Sequence, residues 1–464
     1  MPKIILPKNI LIPLIVACAL FMENMDSTVL ATALPAIALD LNEDPVALKL
    51  ALTSYLITLA IFIPASGWTA DRFGARKIFV GAIAVFTIGS VLCGLVGSLP
   101  GFVAARALQG LGGAMMVPVG RLVLLRSVEK RELLNALAWL TVPSLIGPVI
   151  GPPLGGFITT FAHWRWIFWI NVPIGFLGIG LALAFIADTR EEHPRPFDTR
   201  GFLLSGYGLG AIMFGLTAAG RGLVSPWIDG VLIVTGALAL IAYVRHARRV
   251  PQPILDLDLL RVATFRAGVT GGSLFRVGIG ALPFLLTLLL QIGFGLSPFA
   301  AGSLTFAAAA GAMAMKFAAP PLIKRFGFRR ILTHNAWASG VFTAVIGLFT
   351  PTTYYPVILA VLLFGGFLRS LQFTALNALS FSDIEPANMG SATSFSGCAQ
   401  QLSITMGVAL AAAMLEFSRA ERGGPLLVAD FPVAFFVVAA VSASSWLVFR
   451  RLSANAGASV SGAA

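Results

Sequence analysis

Charged residues are scarce in this chain. Asp, Glu, Lys and Arg make up 11% of its 464 residues, against about 25% in an ordinary soluble domain. A single soluble core of this length would need a far more polar surface, so the composition favours a chain that lies in lipid. Glycine (48) and phenylalanine (35) are frequent instead, which is typical of membrane helices that pack through small residues.

Residues for redox, metal and nucleotide chemistry are also scarce. The three cysteines (Cys18, Cys93, Cys398) lie singly inside apolar runs, and the four histidines are scattered. This pattern excludes a disulfide framework and a metal-ligand spacing. The chain has no GxxxxGK[ST] loop, no HExxH and no GxSxG, so ATP hydrolysis and the common hydrolase chemistries are excluded. We expect no enzyme activity, no cofactor and no metal.

The net charge of +12 could indicate nucleic acid binding, as basic patches do in soluble proteins. Here the basic residues lie in short loops, without a basic face interleaved with aromatic residues. We therefore expect no nucleic acid partner and interpret the charge as a sign of membrane topology.

Apolar stretches of about 20 residues between charged or Pro/Gly breaks predict fourteen transmembrane helices. If both termini are cytoplasmic, most of the 32 Lys and Arg residues fall on the inner side, as the positive-inside rule expects. The first apolar run carries Glu23 and Asp26 and lacks a small-residue cleavage site, so we expect a retained helix. The fold class is all-α integral membrane.

Two octets, DRFGARKI from Asp71 and KRFGFRRI from Lys324, indicate an internal duplication. They predict two six-helix halves, 1–188 and 267–464, with the latter including a short tail. A two-helix insert and linker, 189–266, would join them. Such halves are related by an axis along the membrane normal, with a binding site between them near the midplane.

Four further stretches carry a family resemblance. GWTADRFGARK from Gly67 resembles the signature loop of the major facilitator superfamily. DSTVLATALPAIA from Asp26, RALQGLGGA from Arg106 and GPVIGPPLGG from Gly147 resemble motifs of its drug:proton antiporters. The fourteen-helix count is similar to the EmrB/QacA branch. ASGW and LPFLLTLLLQIGFGLSPF are most similar to the MdtD-type multidrug resistance group.

The resemblance implies a gating loop in which Asp71 is an ionic latch that helps to hold the outward-facing state. Gly74 would permit the turn, and the basic residues would anchor at the anionic leaflet. The alternative is a basic loop that sets topology only. Lys324 departs from the carboxylate, so the second loop is expected to lack a latch. The gating residues are Gly67, Asp71, Arg72, Gly74, Arg76 and Lys77.

Glu23 and Asp26 lie on roughly one face of the first helix, near its centre. Charges at that depth are costly and usually face a cavity, and paired carboxylates suit a site that exchanges protons. The family places a carboxylate at Asp26 and links the basic position of Arg106 to proton coupling; Asp26 or Glu23 would be its partner. The alternatives are neutral carboxyls that serve packing and an arginine that snorkels to the interface.

The resemblance identifies an antiporter motif at Gly147, Pro148, Gly151, Pro152, Gly155 and Gly156. Glycines at steps of four form a smooth stripe that allows close helix contact, and the prolines would bend the helix or leave backbone carbonyls unpaired. Inert helix packing is the alternative.

Arg276, Lys316 and Arg369 fall within second-half helices that carry no acidic residue apart from Glu416 near an end. With Gln109 they form a possible substrate path, and they favour an anionic cargo. Snorkelling is the alternative for Lys316 and Arg369.

These patterns predict a proton-coupled exporter that works by alternating access in the inner membrane. Its expected partners are a small-molecule substrate, protons and the lipid bilayer, and it is expected to function as a monomer. Multidrug efflux is the first reading. The alternatives are an exporter of organic anions or metal–organic acid complexes, and a solute:proton uptake symporter.

Overall fold

The structure, a computed structural model, describes residues 8–128, 133–188, 190, 196–218, 226–385, 388–422 and 424–458. Within these ranges all regular structure is helical. The helices are α1 (Lys8–Asp40), α2 (Lys49–Phe73), α3 (Ala75–Leu95), α4 (Leu99–Ser127), α5 (Leu133–Phe161), α6 (Trp166–Trp169), α7 (Asn171–Phe185), α8 (Thr199–Ala218), α9 (Pro226–Ala247), α10 (Ala263–Leu288), α11 (Pro298–Ile346), α12 (Tyr355–Phe381), α13 (Met389–Arg422), α14 (Phe431–Ser444) and α15 (Trp446–Phe449).

Local sequence explains where several helices begin. Ser98 accepts a hydrogen bond from the Gly101 amide at the start of α4, and Ser297 accepts one from Ala300 at the start of α11. In both helices a proline occupies one of the first two positions, where its missing N–H has no helical partner to lose.

Twelve helices among the described residues are long and apolar enough to cross a membrane. One of them, α11, has non-helical backbone at Gly327 (φ 72°, ψ 160°), so it consists of two helical segments that meet there. In α5 the described apolar stretch, Ile146–Phe161, is shorter than a full crossing. The prediction of an all-helical, multiply spanning architecture is confirmed for this part of the chain. The count of fourteen crossings stays a prediction.

Both copies of the repeated octet place glycine at a turn between two helical segments. Gly74, between α2 and α3, has φ 101°, and Gly327 has φ 72°. A Cβ is strained in this region, so glycine suits both turns. The repeat in sequence therefore corresponds to a shared turn in structure. We name the side of the bundle with the first turn the Gly74 end, and the opposite side, where α1 ends, the Asp40 end.

The glycine stripe of α5 packs against α1. A Cβ at Gly147 would lie 3.1 Å from the Met25 amide nitrogen, one at Gly151 would overlap Thr28, and one at Gly155 would lie 2.8 Å from the Val29 carbonyl oxygen. The absence of side chains on this face therefore sets how closely α5 approaches the helix that carries Glu23 and Asp26.

The neighbouring residues of the same motif face α11. A Cβ at Gly156 would overlap the Pro298 carbonyl oxygen, and one at Gly302 would overlap that of Pro152. Pro148 is also half-buried within α5. The motif thus packs α5 against two helices, α1 before residue 188 and α11 after residue 267.

Polar contacts between α1–α7 and α10–α15 concentrate at the Asp40 end. They join Lys49 with Glu416, Asp44 with Arg419, Thr32 with Gln291, and Thr160 with Phe299. An apolar cluster that draws on both groups of helices lies beside them. Away from this end, one hydrogen bond joins the two groups among the described residues. The Cys398 thiol donates to the Ala60 carbonyl oxygen, near the middle of α2.

Two helices of the expected insert, α8 and α9, pack on each other, and α8 also contacts α2 and α13. The turn that would separate them, 219–225, lies outside the described residues. The linker after α9 is held near α8 by Asp198, which accepts hydrogen bonds from the Gly201 and Ile254 amides and contacts His246 at 2.7 Å. Burial raises the pKa of the Asp198 carboxyl, but these contacts together lower it below its ordinary value.

Replacing Gly155 by Ala should lower the stability of the protein by about 1–3 kcal/mol, because the added methyl group overpacks the contact with α1. Thermal unfolding of the purified protein in detergent would measure the change. Gly180→Ala is the matched control, since a Cβ there meets nothing within 4 Å. Equal unfolding midpoints for the two variants would contradict the close approach of α5 to α1.

Candidate functional site

A fully buried ion pair lies inside the first group of helices. Arg106, on α4, donates through Nη1 to Asp26 Oδ2, on α1, at 2.5 Å. Arg106 Nε also donates to the Ala51 carbonyl of α2 at 3.4 Å. Asp26 is 2% exposed and Arg106 1% exposed. The structure thus pairs Arg106 with Asp26, one of the two partners that the sequence offered.

Two amide side chains complete the surroundings of this pair. Gln109 accepts from Arg106 Nη1 at 2.5 Å and donates to Asp26 Oδ1 at 2.8 Å. Asn171, at the start of α7, donates to the same carboxylate oxygen at 3.1 Å. Both amides also donate to Ser90 Oγ on α3. These side chains come from four helices, α1, α3, α4 and α7, and we name Asp26, Arg106, Gln109, Asn171 and Ser90 the Asp26 network.

Gln109 belongs to this network rather than to a path with the second-half cations. Its side chain is fully buried, and its polar contacts are with Asp26, Arg106, Ser90 and, through sulfur, Cys93. The sequence grouped it with Arg276, Lys316 and Arg369, and the structure does not bring it to them.

Glu23 lies beside the network and is connected to it by Tyr55. The Tyr55 hydroxyl donates to Glu23 Oε1 at 3.2 Å, while the tyrosine ring lies under the Arg106 guanidinium, 4.5 Å from its carbon. Glu23 Oε2 is buried without a hydrogen-bond partner among the described residues. Arg121, on α4, is the basic residue close enough to act on Glu23 electrostatically.

In the Asp26 network the carboxylate of Asp26 supplies the counter-charge of Arg106. Protonation of Asp26 would remove the counter-charge of Arg106, and a buried charge that loses its partner costs about 3–5 kcal/mol. Arg106 would then have to move or gain another partner, and the Tyr55 ring with Glu23 beyond it lies on one side of the guanidinium. A carboxylate held this way can convert proton binding into helix movement.

The predicted gating loop lies at the Gly74 end. Asp71 Oδ1 pairs with Arg126 Nη2 of α4 at 2.7 Å, and Arg76 donates to the Ile186 carbonyl at 3.2 Å. A Cβ at Gly74 would overlap the Asp188 carboxylate. Arg126 and Ile186 both lie within residues 1–188, so in this structure Asp71 and Arg76 are engaged within the first group of helices. Gly67, Arg72 and Lys77 are exposed.

Two of the three predicted second-half cations, Arg276 and Lys316, contact one face of α12. Arg276 is fully buried and donates to Asn377 at 3.2 Å. Lys316 donates to Thr374 at 3.1 Å. Both cations lie near the Phe373 ring, at 5.8 Å and 5.9 Å from its centroid.

Hydrogen-bond donors of these cations remain unused. Among the described residues, Arg276 Nε and Nη1 and Arg369 Nη1 are buried without an acceptor. Arg369 precedes Phe373 by one helical turn on α12. We name Arg276, Lys316 and Arg369 the cation cluster. Buried donors of positive charge that lack acceptors favour an anion.

Sequence reasoning missed Asn171, Ser90 and Tyr55. Asn171 is the sole strongly polar residue of α7, which is a usable signal because an amide within an apolar helix needs partners. Ser90 and Tyr55 carry no such signal, since small hydroxyls and aromatic rings are ordinary in membrane helices. Their roles depend on contacts between helices that are distant in sequence.

Comparisons with known proteins agree with this geometry. The sequence profile of the Major Facilitator Superfamily matches residues 16–408. The provisionally named multidrug resistance protein MdtD of Escherichia coli (strain SE11) is 39% identical over 402 residues, which cover 86% of this chain and 85% of the relative.

Solved structures with the same fold are more distant in sequence. An autoinhibited peptide transporter of the POT family has a TM-score of 0.70 at 17% identity, over 96% of this chain and 97% of its own. A D-xylose–proton symporter has a TM-score of 0.69 at 16% identity, over 95% and 97%.

The structural likeness supports the fold, and the sequence likeness covers most of the chain, including the predicted loop and helix motifs. The expected relationship is therefore confirmed, and with it a transporter rather than an enzyme. The chain belongs to the major facilitator superfamily and is a multi-pass membrane transporter.

Proposed function

We propose that this chain is a proton-coupled antiporter that exports small molecules, with multidrug efflux as its activity. The Asp26 network is the observation that carries the proposal, because it holds a carboxylate and a guanidinium in a buried pair that protonation would disrupt. The likeness to a protein named for multidrug resistance supports export of drugs.

The proposed topology has fourteen crossings, with both termini in the cytoplasm and the chain in the inner membrane as a monomer. The two segments of α11 that meet at Gly327 supply two of these crossings, and α5 supplies another. The halves are 1–188 and 267–464, joined by the insert 189–266. The Gly74 end is then cytoplasmic and the Asp40 end is periplasmic.

In the proposed cycle a proton binds Asp26 and releases Arg106. The side-chain oxygen of Asn171, Oδ1, is buried without a partner among the described residues, so rotation of this amide would let Oδ1 accept a hydrogen bond from the protonated carboxyl. Arg106 would then turn toward Tyr55 and Glu23. Because the network joins four helices, loss of the ion pair changes how they pack, and this change drives alternating access.

The structure corresponds to an inward-facing state in this proposal. The ion pairs Lys49–Glu416 and Asp44–Arg419 close the Asp40 end, while Asp71 is paired with Arg126 in its own half. In the outward-facing state the contacts at the Asp40 end would break, and Asp71 would engage the opposing helices.

Asp26→Asn should abolish proton-driven transport, because asparagine keeps the shape of the side chain but cannot take up and release a proton. Transport of an amphipathic cation by the purified protein in liposomes, under an imposed pH gradient, would measure it. Asp229→Asn is the matched control, since Asp229 is a buried carboxylate at the start of α9 that lies outside the network.

Three outcomes would contradict this part of the proposal. Undiminished proton-driven transport by Asp26→Asn would exclude Asp26 as the coupling residue. Equal loss in Asp229→Asn would indicate a general effect on folding. Accumulation of solute on the same side as the incoming protons would favour the uptake symporter instead.

Glu416→Gln should shift the protein toward the outward-open state. The substitution removes the counter-charge of Lys49, which is 1% exposed, and a change of about 1–3 kcal/mol would shift the population about 5- to 150-fold. Spin labels at the exposed residues Leu39 and Tyr354, in a background without native cysteines, would report the distance across the Asp40 end.

The same labels in Glu421→Gln provide the control, because Glu421 lies on the same helix and is exposed. We expect longer distances in Glu416→Gln and parental distances in Glu421→Gln. Identical distance distributions in all three proteins would show that the Lys49–Glu416 pair does not hold this end closed.

The cation cluster favours a second candidate function, the export of organic anions or of metal complexes of organic acids. Arg276 and Lys316 contact one face of α12, Arg369 lies on α12 one turn before Phe373, and buried guanidinium donors of both arginines have no acceptor among the described residues. A carboxylate ligand would satisfy donors that the protein leaves unused.

Arg276→Gln should weaken transport of a tricarboxylate by about ten-fold or more, the value of a charge-assisted hydrogen bond, without affecting an amphipathic cation. Uptake into liposomes, with and without iron, would measure both cargoes. Arg266→Gln, an exposed position on the same helix, is the control. If the tricarboxylate is not transported at all, the cluster has a structural role and this second function is excluded.

A further inference from the structure

The second repeat loop differs from the first in its charge balance. No Asp or Glu occurs between Asp258 and Asp383, a stretch that includes the whole of α11. In the first loop, Asp71 is paired with Arg126 and Arg76 is bonded to the Ile186 carbonyl. The second loop therefore carries a positive charge that acidic neighbours in sequence do not offset.

The basic side chains of this second loop face solvent or the membrane surface. Lys324, Arg325, Arg329 and Arg330 are all exposed. Arg325 lies over the Phe326 ring at 5.3 Å, and among the described residues none of the four forms an ion pair. A cluster of exposed basic residues at the expected cytoplasmic surface attracts anionic lipid.

A groove begins at this cluster and follows one face of α11. Its volume is about 410 Å³, and it is lined by Phe326, Arg330, Ile331, His334, Asn335 and Ala338. After the break at Gly327, Arg330, His334 and Ala338 recur at steps of four, so they share one helix face. From Arg330 to Ala338 the groove extends about 12 Å along the helix axis.

The two ends of the groove differ in chemistry. At the Gly74 end, Arg330 and His334 supply nitrogen donors, and His334 Nδ1 lies 2.8 Å from the Arg330 carbonyl oxygen, which orients the imidazole. Further along, Ile331 and Ala338 supply apolar surface. Exposed Trp337 and Val341 continue the apolar surface beyond the groove. A ligand that fits has a charged head and an apolar tail.

We propose that this groove binds one anionic phospholipid, with the phosphate between Arg330 and His334 and an acyl chain along Ile331 and Ala338. The first loop lacks the same site. At the positions of Arg330 and His334 it has Lys77 and Gly81, and a Cβ at Gly81 would meet nothing within 4 Å. The lipid thus occupies the second copy of the duplicated turn, where the Asp71 carboxylate is replaced by Lys324.

Native mass spectrometry of the full-length protein in detergent would test the site, with phosphatidylglycerol and phosphatidylcholine as probes. We expect retention of one phosphatidylglycerol in preference to phosphatidylcholine. Arg330→Gln should weaken it about five-fold, since a basic residue at an anionic surface contributes about 1 kcal/mol. Ala338→Leu, which narrows the apolar end without changing charge, should also reduce retention.

Lys77→Gln is the matched control, because Lys77 is the equivalent residue of the first loop, and it should retain phosphatidylglycerol like the parent protein. Several results would overturn the proposal. These are equal retention of the two lipids, equal loss in Lys77→Gln and Arg330→Gln, displacement of the lipid by inorganic phosphate, and a dimer in place of the lipid-bound monomer. The test does not depend on transport, so it stands apart from the proposed antiport.

Discussion

The buried pair of Asp26 and Arg106 is the interaction on which the rest of the structure depends. A guanidinium inside a membrane helix is expensive to hold, and this one is stable because a carboxylate, an amide and a backbone carbonyl surround it. The carboxylate comes from α1 and the backbone carbonyl from α2, while the amide of Gln109 lies one turn further along α4 itself. The bundle must therefore bring distant segments to one point, and a change in the charge of Asp26 would alter contacts that join them.

Close packing between helices provides a route by which a change at one helix could reach another. α5 approaches α1 through Gly147, Gly151 and Gly155, and turns Gly156 toward the start of α11. The helix that carries Asp26 is thereby in contact with a helix, α5, that also packs against α11. A packed interface of this kind shifts between discrete arrangements rather than deforming smoothly. A change at Asp26 can in this way reach the contacts at the Asp40 end.

Sequence alone predicted much of this site and missed the rest for identifiable reasons. Asp26 and Arg106 stand out because charges are rare in apolar helices, so both were named, with Asp26 and Glu23 as the two candidate partners of Arg106. The turns at Gly74 and Gly327 were visible as a repeated octet. The places of Gln109 and Asn171 were not, because hydrogen bonds between helices far apart in sequence follow from helix packing, which no single stretch of residues encodes.

The two copies of the repeated unit have come to hold opposite chemistry. In α1–α7, Arg106 is neutralised by the Asp26 carboxylate. In α10–α15, Arg276 and Arg369 have buried donors without an acceptor among the described residues, and the loop at Lys324 has no acidic neighbour in sequence. In the proposed function this asymmetry separates two tasks. The helices that hold Asp26 and Arg106 would respond to protons, and the helices that hold Arg276 and Arg369 would contact anionic ligands without disturbing that ion pair.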